Sequence, residues 1–460
     1  YPAAANLFGE KPSSNNNLAV LSLTLSCSDD NKSFKTLIAI PLVLAILSSF
    51  FFLISVVNFL RKNRADKIHT WDDYLIKSNL YIKNRFISGL NTSDYIVMSP
   101  GINILKSKFK KILLKNKHKI ITDLDLFYLL NPNAKSIVIT GTNGKSTTCK
   151  IVHHILKKNK IKVNLGGNIG SPILNIKLKK NSITVIEASS FQLAYSKYIK
   201  PDYAFILNIT KDHLDWHRSM NHYINSKFKI FALQKKTDYA FINNKKLLRR
   251  FRKYKYKSKL KFVTSNHYNK IKKKIKNNYL NSEVNQENMN FVYSLSKILK
   301  IKDKLFIKSL ESFRGLKHRY EIFYRKYDKA FINDSKATSF EASKYALKNN
   351  KNIFWIVGGL PKKGDKIKLL NIKKNIFKAY IIGKYTKYFK KHLRGQVNYK
   401  LSYTLKNATI SIFKDLRKIE DKKTTILLSP ASASYDQFRN FEERGNKFKK
   451  LVITYARKYF

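Results

Sequence analysis

The run Ser136-Ile-Val-Ile-Thr-Gly-Thr-Asn-Gly-Lys-Ser-Thr-Thr148 carries the most specific chemistry in the chain. An apolar strand passes through a glycine-containing turn into a helix start, where backbone N–H groups and the helix dipole favour phosphate. Gly141, Thr142, Asn143 and Gly144 would form the cradle. Lys145 would meet the β- and γ-phosphates of a nucleotide, and Ser146 or Thr147 would offer a hydroxyl to Mg2+. The Gly-x-x-Gly-Lys-Ser spacing is shorter than the usual P-loop, which has a glycine where Ile139 stands. A turn that merely caps a helix is the plain alternative. Strand, glycine, lysine and serine in register favour phosphate.

Acid and imidazole groups follow the next strands. Glu187 opens Glu-Ala-Ser-Ser-Phe-Gln192, directly after Ile183 to Ile186, and His213 lies in Asn-Ile-Thr-Lys-Asp-His-Leu-Asp215. In open α/β sheets, ligands bind outside the carboxyl ends of the strands. A carboxylate and an imidazole there, facing a phosphate loop, suit Mg2+ held against phosphates. Taken singly, Glu187 reads as well as a helix N-terminal acid, and His213 as a surface turn residue. Further on, Arg319 in His318-Arg-Tyr-Glu321 is a candidate fork for two phosphate oxygens. Asn333-Asp-Ser-Lys-Ala-Thr338 offers a carboxylate, an ammonium and hydroxyls in one turn. Ser429-Pro-Ala-Ser-Ala-Ser-Tyr-Asp-Gln-Phe438 is a carboxylate receptor or, equally, a tight turn into a helix capped by Ser434.

Positioning these groups requires parallel α/β layers, and the chain alternates short apolar runs with helical stretches throughout its later part. Strands are expected at Ile68 to Trp71, Tyr95 to Met98, Ser136 to Thr140, Ile183 to Ile186 and Tyr203 to Asn208. More are expected at Ala330 to Ile332, Ile353 to Val357, Ala379 to Ile382 and Thr425 to Leu428, with a helix from Ser146 to Lys158. The Lys-rich stretch from Lys245 to Asn278 reads as a solvated surface. Expected divisions are 1–61, 62–134, 135–315 and 316–460.

The formal net charge of +62 would ordinarily suggest a nucleic-acid or anionic-membrane partner. Here lysine far outnumbers arginine, and the basic residues are spread along nearly the whole chain among asparagine and isoleucine. A compositional bias fits this better than a nucleic-acid site. Cys27 and Cys149 have no metal-ligand spacing, which points away from a disulfide framework and towards a reducing compartment, the cytoplasm. One segment breaks the pattern. Thr36 to Phe59 holds no charged residue, and Arg61-Lys-Asn-Arg64 follows. A membrane anchor and a buried strand and helix would give the same hydropathy.

Together these runs resemble the muramyl (Mur) ligase family, from about Asp66 to the C-terminus. The matching stretches are Gly141 to Thr147, Gly167-Asn-Ile-Gly170, Glu187 to Leu193, Asn208 to Asp215, His318 to Glu321, Asn333 to Thr338 and Leu428 to Phe438. The last two point to members that add D-glutamate. Such a resemblance implies three domains: a Rossmann-like domain for UDP (atypical here), a central P-loop ATPase-type domain and a C-terminal dinucleotide-fold domain. It implies an ATP-dependent ligase of peptidoglycan precursor synthesis, with UDP-N-acetylmuramoyl-L-alanine, D-glutamate and ATP as substrates. Another amino-acid ligase of the family, or a catalytically impaired membrane-anchored relative, is the competing reading.

By similarity, Ser146 and Glu187 would hold one Mg2+ and His213 a second, with Lys227 as a carbamylated lysine beside them. Asn168 would touch the sugar substrate. Asn288, His318, Arg319 and Asp334 would contact ATP. Thr338, Lys362, Ser434 and Phe441 would form the D-glutamate pocket with Lys336, and Asp72 would lie on the uridine side. Lys145, Glu187, His213, Arg319 and Asp334 are expected to converge on one nucleotide in a monomeric, cytoplasmic enzyme. The resemblance departs at the start. No glycine lies between Gly9 and Gly89, where the family's diphosphate-receiving turn belongs, so the uridine site is rebuilt or this stretch is an aberrant N-terminus.

Overall fold

Runs rich in isoleucine and valine, each bounded by turn residues, become parallel strands buried on both faces. The computed structural model describes residues 37–40, 46–63, 90–107, 109–277, 279–281, 283–362, 364–365, 367–419 and 423–459. They fall into two compact units, Tyr1–Phe313 and Arg314–Phe460.

The first unit holds two sheets. The smaller consists of β1 (Leu37–Ile40), β2 (Tyr95–Met98) and β3 (Ile120–Ile121), all parallel, in the order β1-β2-β3. The larger contains β4 (Lys135–Thr140), β5 (Val163–Gly167), β6 (Ile183–Glu187), β7 (Tyr203–Ile206), β8 (Tyr239–Ile242) and β9 (Lys259–Phe262). Its order is β9-β8-β7-β4-β6-β5, again all parallel. Strand β4 is central, and all of it after Lys135 is buried. Such a strand cannot alternate with polar residues, hence Ile137-Val-Ile139. Its carboxyl end delivers the glycine turn into the helix Lys145–Lys158, which buries Cys149, Ile151, Val152, Ile155 and Leu156.

Within the apolar segment the described residues form a strand and a helix. Strand β1 pairs with β2, and the helix Ile46–Lys62 packs its last turns into the unit's core. Val56, Val57 and Leu60 join Val97, Ile121 and Leu124 there, and Ser55 donates to Asn175 at 2.8 Å. No described helix is long and apolar enough to cross a membrane. The expected strand Ile68 to Trp71 lies outside the described residues, as does Asp72. The Lys-rich stretch is more structured than its composition suggests. It forms the helix Lys245–Lys253, strand β9 and the helix Asn266–Lys272, with Leu247, Phe251, Tyr268 and Ile271 inward. Its lysines face largely outward, as a solvated surface requires.

The second unit is built on β10 (Glu321–Lys326), β11 (Lys329–Asn333), β12 (Ile353–Gly358), β13 (Ile376–Ile382), β14 (Tyr399–Tyr403) and β15 (Thr424–Leu428). The order is β10-β11-β15-β12-β13-β14, and β10 alone pairs antiparallel. Separate apolar clusters cover the two faces, one around Phe354, Tyr380 and Ile412, the other around Trp355, Ile381 and Phe389.

If the helix Ile46–Lys62 belongs to the core, Leu60→Ala leaves a cavity. Leu60 is 2% exposed. The variant should unfold at lower denaturant, with about 2–5 kcal/mol lost. An unchanged midpoint would show that this helix does not support the fold.

Candidate active site

One position in the phosphate-type turn admits only glycine. Gly144 takes a φ of +83°, and a Cβ there would stand 2.2 Å from Asn288 Oδ1. Any side chain would therefore meet both a strained backbone and an occupied space. Asn288 is buried, and its Nδ2 donates to Asn285 Oδ1 at 3.2 Å. On the other side the turn is tied to the loop after β7. Thr142 N–H donates to the Asn208 carbonyl at 2.9 Å, Asn143 N–H to Asn208 Oδ1 at 2.8 Å, and Thr210 N–H to Thr142 Oγ1 at 3.0 Å. Lys145 folds back, donating to the carbonyls of Gly141 at 3.0 Å and Thr142 at 2.9 Å. Ser146 and Thr147 are buried in the first turn of the following helix.

Below the turn sits Lys227, 1% exposed on the helix Met220–Phe228. Its amine donates to the Gly141 carbonyl at 2.8 Å and to Thr140 Oγ1 at 3.4 Å, and lies 4.6 Å from the centre of the Tyr223 ring. Burial holds its pKa well below the ordinary lysine range, and the charge on Lys145 pushes it the same way. Tyr223 in turn shares a 3.0 Å hydrogen bond with Thr142 Oγ1.

Glu187 closes β6 and is registered against Ile139 of β4. It is 1% exposed; Oε1 accepts from Asn168 Nδ2 at 3.0 Å, while Oε2 is buried without a hydrogen-bond partner among the described residues. The Asn168 N–H donates to the Glu187 carbonyl at 2.9 Å. An orphaned buried carboxylate oxygen is costly unless a cation completes it, so the residue fits a Mg2+ ligand. No cluster of three or more His, Cys, Asp or Glu suited to a metal occurs among the described residues. A metal on Glu187 would therefore also need ligands of other kinds, such as hydroxyls, substrate oxygens or water. Glu187 is not a helix N-terminal acid: the following helix, Ser190–Tyr195, is capped by Ser189. His213 precedes the turn Leu214–His217 in a left-handed conformation, with Nε2 3.3 Å from Asp212 Oδ2. Phe191 joins the Glu187 and His213 loops, its ring 4.8 Å from His213 and stacked on His217 at 5.7 Å. Lys145, Ser146, Glu187, Asn168, His213, Lys227 and Asn288 thus all lie in the first unit, at or beside the carboxyl ends of β4, β6 and β7.

The remaining expected residues lie in the second unit. Asp334 is buried after β11, accepting from Tyr320 N–H at 3.0 Å and Ser429 Oγ at 2.8 Å. Burial pushes its pKa up to about 7, opposed by those bonds and by Arg319. The buried Arg319 Nε has no hydrogen-bond partner among the described residues. His318 Nδ1 accepts from Asn333 Nδ2 at 2.9 Å, and burial lowers its pKa. Lys336 stands 5.1 Å from the Phe441 ring. Thr338 and Lys362 are exposed. Ser434 is buried, but caps no helix: its carbonyl accepts from Gln437 and Phe438 N–H groups in a turn, and the helix begins only at Phe441.

One residue outside the expected set orders this unit's loops. Arg444, 1% exposed, donates through Nε to Ser335 Oγ at 3.0 Å and through its terminal nitrogens to the carbonyls of Ser335, Ser432 and Ala433 at 2.8, 3.0 and 3.3 Å. It pins the Asp334 turn to the Ser429–Ser434 turn. Among 91 basic residues nothing in its local sequence singles it out.

Residues 139–306 match the Mur ligase middle domain. A UDP-N-acetylmuramoylalanine–D-glutamate ligase of Rickettsia bellii is 36% identical over 383 residues, 78% of this chain and 85% of the relative. The chain belongs to the Mur ligase family. A relative of the same name from Rickettsia felis is 35% identical over 400 residues, 82% of this chain and 88% of its own. A solved Mur ligase, MurF from Thermotoga maritima in complex with ADP, shares the fold with a TM-score of 0.53 at 16% identity, over 83% of this chain and 94% of that one.

The state of Lys227 in this Mur ligase can be read from stability. Its folded pKa is depressed, so the folded protein binds fewer protons than the unfolded chain between that value and 10.5, and stability falls as pH drops through the interval. Lys227→Met should therefore be more stable than the parent at neutral pH, by on the order of 1 kcal/mol. The gap should close above pH 10.5, the ordinary lysine value. Parallel thermal midpoints for the two proteins from neutral to alkaline pH would mean that the amine does not titrate on unfolding.

Proposed function

We propose that this Mur ligase joins D-glutamate to the carboxylate of UDP-N-acetylmuramoyl-L-alanine with ATP, through an acyl phosphate, in peptidoglycan precursor synthesis. The carrying observation is the turn Gly141–Lys145 set beside the orphaned carboxylate oxygen of Glu187. The names of the relatives support the amino acid, as do Asp334-Ser-Lys-Ala-Thr338 and the Ser429 run.

A carboxylate is a poor electrophile, so it first takes the γ-phosphoryl of ATP. Lys145 leaves the two carbonyls it now bonds and places its ammonium on the phosphate oxygens, with backbone N–H groups of the turn fixing their position. Two Mg2+, when bound, supply charge neutralisation at the transferring group, held by Ser146 and Glu187 at one site and His213 at the other. Lys227, buried and of depressed basicity, is suited to react with CO2 and present a carbamate as a further ligand. The neutral amine of D-glutamate then attacks the acyl carbon, and the tetrahedral intermediate expels phosphate, which can take up the amine proton.

Asn168 is assigned to the sugar substrate, and Asn288, His318, Arg319 and Asp334 to ATP. Lys336, Thr338, Lys362, Ser434 and Phe441 are assigned to D-glutamate, and Asp72, outside the described residues, to the uridine side. The proposal places residues 62–134, 135–315 and 316–460 as UDP, ATP and amino-acid domains of a monomeric cytoplasmic enzyme.

Phosphate release from ATP should require both UDP-N-acetylmuramoyl-L-alanine and D-glutamate, and Lys145→Ala should lower kcat/KM by roughly 100-fold or more. Stimulation by L-alanine or a diamino acid in place of D-glutamate would reassign the enzyme within the family. ATP turnover indifferent to every amino acid would sink the ligase reading itself.

A further inference from the structure

We propose that Glu287 is a positioning residue that sets the ATP-phosphate turn by fixing the amide of Asn208. The inference rests on the reading of Gly141–Lys145 as that turn. Glu287 lies on the helix Glu283–Ile298, immediately before Asn288. Oε1 accepts from Asn243 Nδ2 at 2.6 Å, after β8, and Oε2 accepts from Asn208 Nδ2 at 3.1 Å, after β7.

A carboxylate only accepts, whereas an amide presents one accepting oxygen and one donating nitrogen. With Glu287 beside it, Asn208 must turn its nitrogen towards the carboxylate. Its oxygen is thereby aimed at the turn, where Oδ1 accepts from Asn143 N–H at 2.8 Å. The Asn208 carbonyl accepts the preceding N–H, of Thr142, at 2.9 Å. Asn208 thus holds two consecutive N–H groups of the turn, one through its backbone carbonyl and one through an amide whose orientation Glu287 fixes together with the Asn143 carbonyl, which accepts from the same Nδ2 at 3.3 Å. Without the carboxylate, Asn208 could present its nitrogen to Asn143 N–H, donor against donor, and the turn would lose a fixed geometry.

Coulomb's law argues the other way about affinity. A negative charge near a polyphosphate disfavours binding, so a Glu287 that acted by charge alone would weaken ATP binding, and its removal would help. Only the positional role makes its loss harmful. The bland alternative is a surface carboxylate that happens to sit between two amides, and it predicts improvement or no change.

Full-length parent, Glu287→Leu, Glu287→Gln, Asn208→Ala and Asn208→Ala/Glu287→Leu are compared by steady-state phosphate release, varying ATP and D-glutamate in turn. Glu287→Leu should raise KM for ATP about tenfold while KM for D-glutamate stays within about twofold. Glu287→Gln should stay close to the parent, because its amide oxygen still receives Asn208 Nδ2 while Asn243 turns over to accept. The double variant should be no worse than Asn208→Ala, since both changes cut one relay. An unchanged or lowered KM for ATP in Glu287→Leu overturns the proposal, as do additive losses in the double variant or a Gln variant as damaged as the Leu one. Should Glu287→Leu fail to fold, Glu287→Lys decides. It offers donors only and must reverse the Asn208 amide, so KM for ATP should rise despite the added positive charge, and a fall overturns the idea. Calorimetric titration of the parent with ATP separates the two readings: no binding refutes the nucleotide turn, whereas equal binding by parent and Leu variant refutes only the role of Glu287.

Discussion

Two lysine amines donate to one backbone carbonyl, that of Gly141, from Lys145 at 3.0 Å and from Lys227 at 2.8 Å. Two full positive charges so placed, one of them buried, would repel strongly at low effective dielectric. The arrangement is comfortable only because burial holds Lys227 towards its neutral form. That division of labour organises the first unit. Lys145 is half-exposed at a helix start, and on the proposed reading it is the amine that moves to an arriving phosphate. Lys227 is enclosed under the turn by Tyr223 and Thr140, and the low basicity that burial gives its amine suits it to the carbamate proposed for it.

The parallel sheet makes this crowding possible. Strands β4, β6 and β7 end at one level, so Thr140, Glu187 and the Asn208 loop arrive side by side without long excursions of chain. The second unit repeats the device with different chemistry. Asn333 and Asp334 leave β11 beside Ser429, which leaves β15, and burial pushes the pKa of the Asp334 carboxyl up to about 7. Arg444 supplies the fixed, many-pronged donor that loops of small residues cannot supply for themselves.

Much of this was legible because it depends on short-range order. Strand β2 ends where its apolar run ends, at Met98, and the turn after β4 announces itself by Gly141, Gly144, Lys145 and Ser146 in register. Glu187 and Asp334 were found by standing directly after apolar runs. What stayed hidden depends on contacts across the sheet. Strands β8 and β9 have only four residues each, and β9 alternates lysine with its two apolar residues, so only the pairing of β8 with β7 and of β9 with β8 reveals them. Glu287 and Asn243 are 44 residues apart and meet only once the helix Glu283–Ile298 has packed. Of the two readings of the Ser429 run, a helix capped by Ser434 is not formed: the turn continues to Asn440, because Ser434 lends its carbonyl and not its hydroxyl to the following N–H groups. The apolar Thr36 to Phe59 was ambiguous for a reason of principle: a short run of hydropathy looks alike in lipid and in a protein core.

The charge balance acquires a physical sense from these details. With 91 basic residues against 29 acids, an ordinary carboxylate has no shortage of surface partners. Yet several acids are occupied by N–H groups and amides rather than by ion pairs. Asp125 accepts from the backbone of Thr122, Lys197 and Tyr198, and Asp123 accepts from Gln192. Glu287 receives two asparagines, and Glu321 takes the His318 N–H beside an ion pair with Lys449 at 3.0 Å. Exposed ion pairs contribute little to stability in any case, whereas a carboxylate that takes buried N–H groups satisfies donors that water cannot reach. Some of the few carboxylates are thus spent inside, and lysine dominates the surface. The resulting positive field does no harm to an enzyme whose nucleotide substrates are polyanions, because it raises their local concentration without asking any single surface lysine to recognise them.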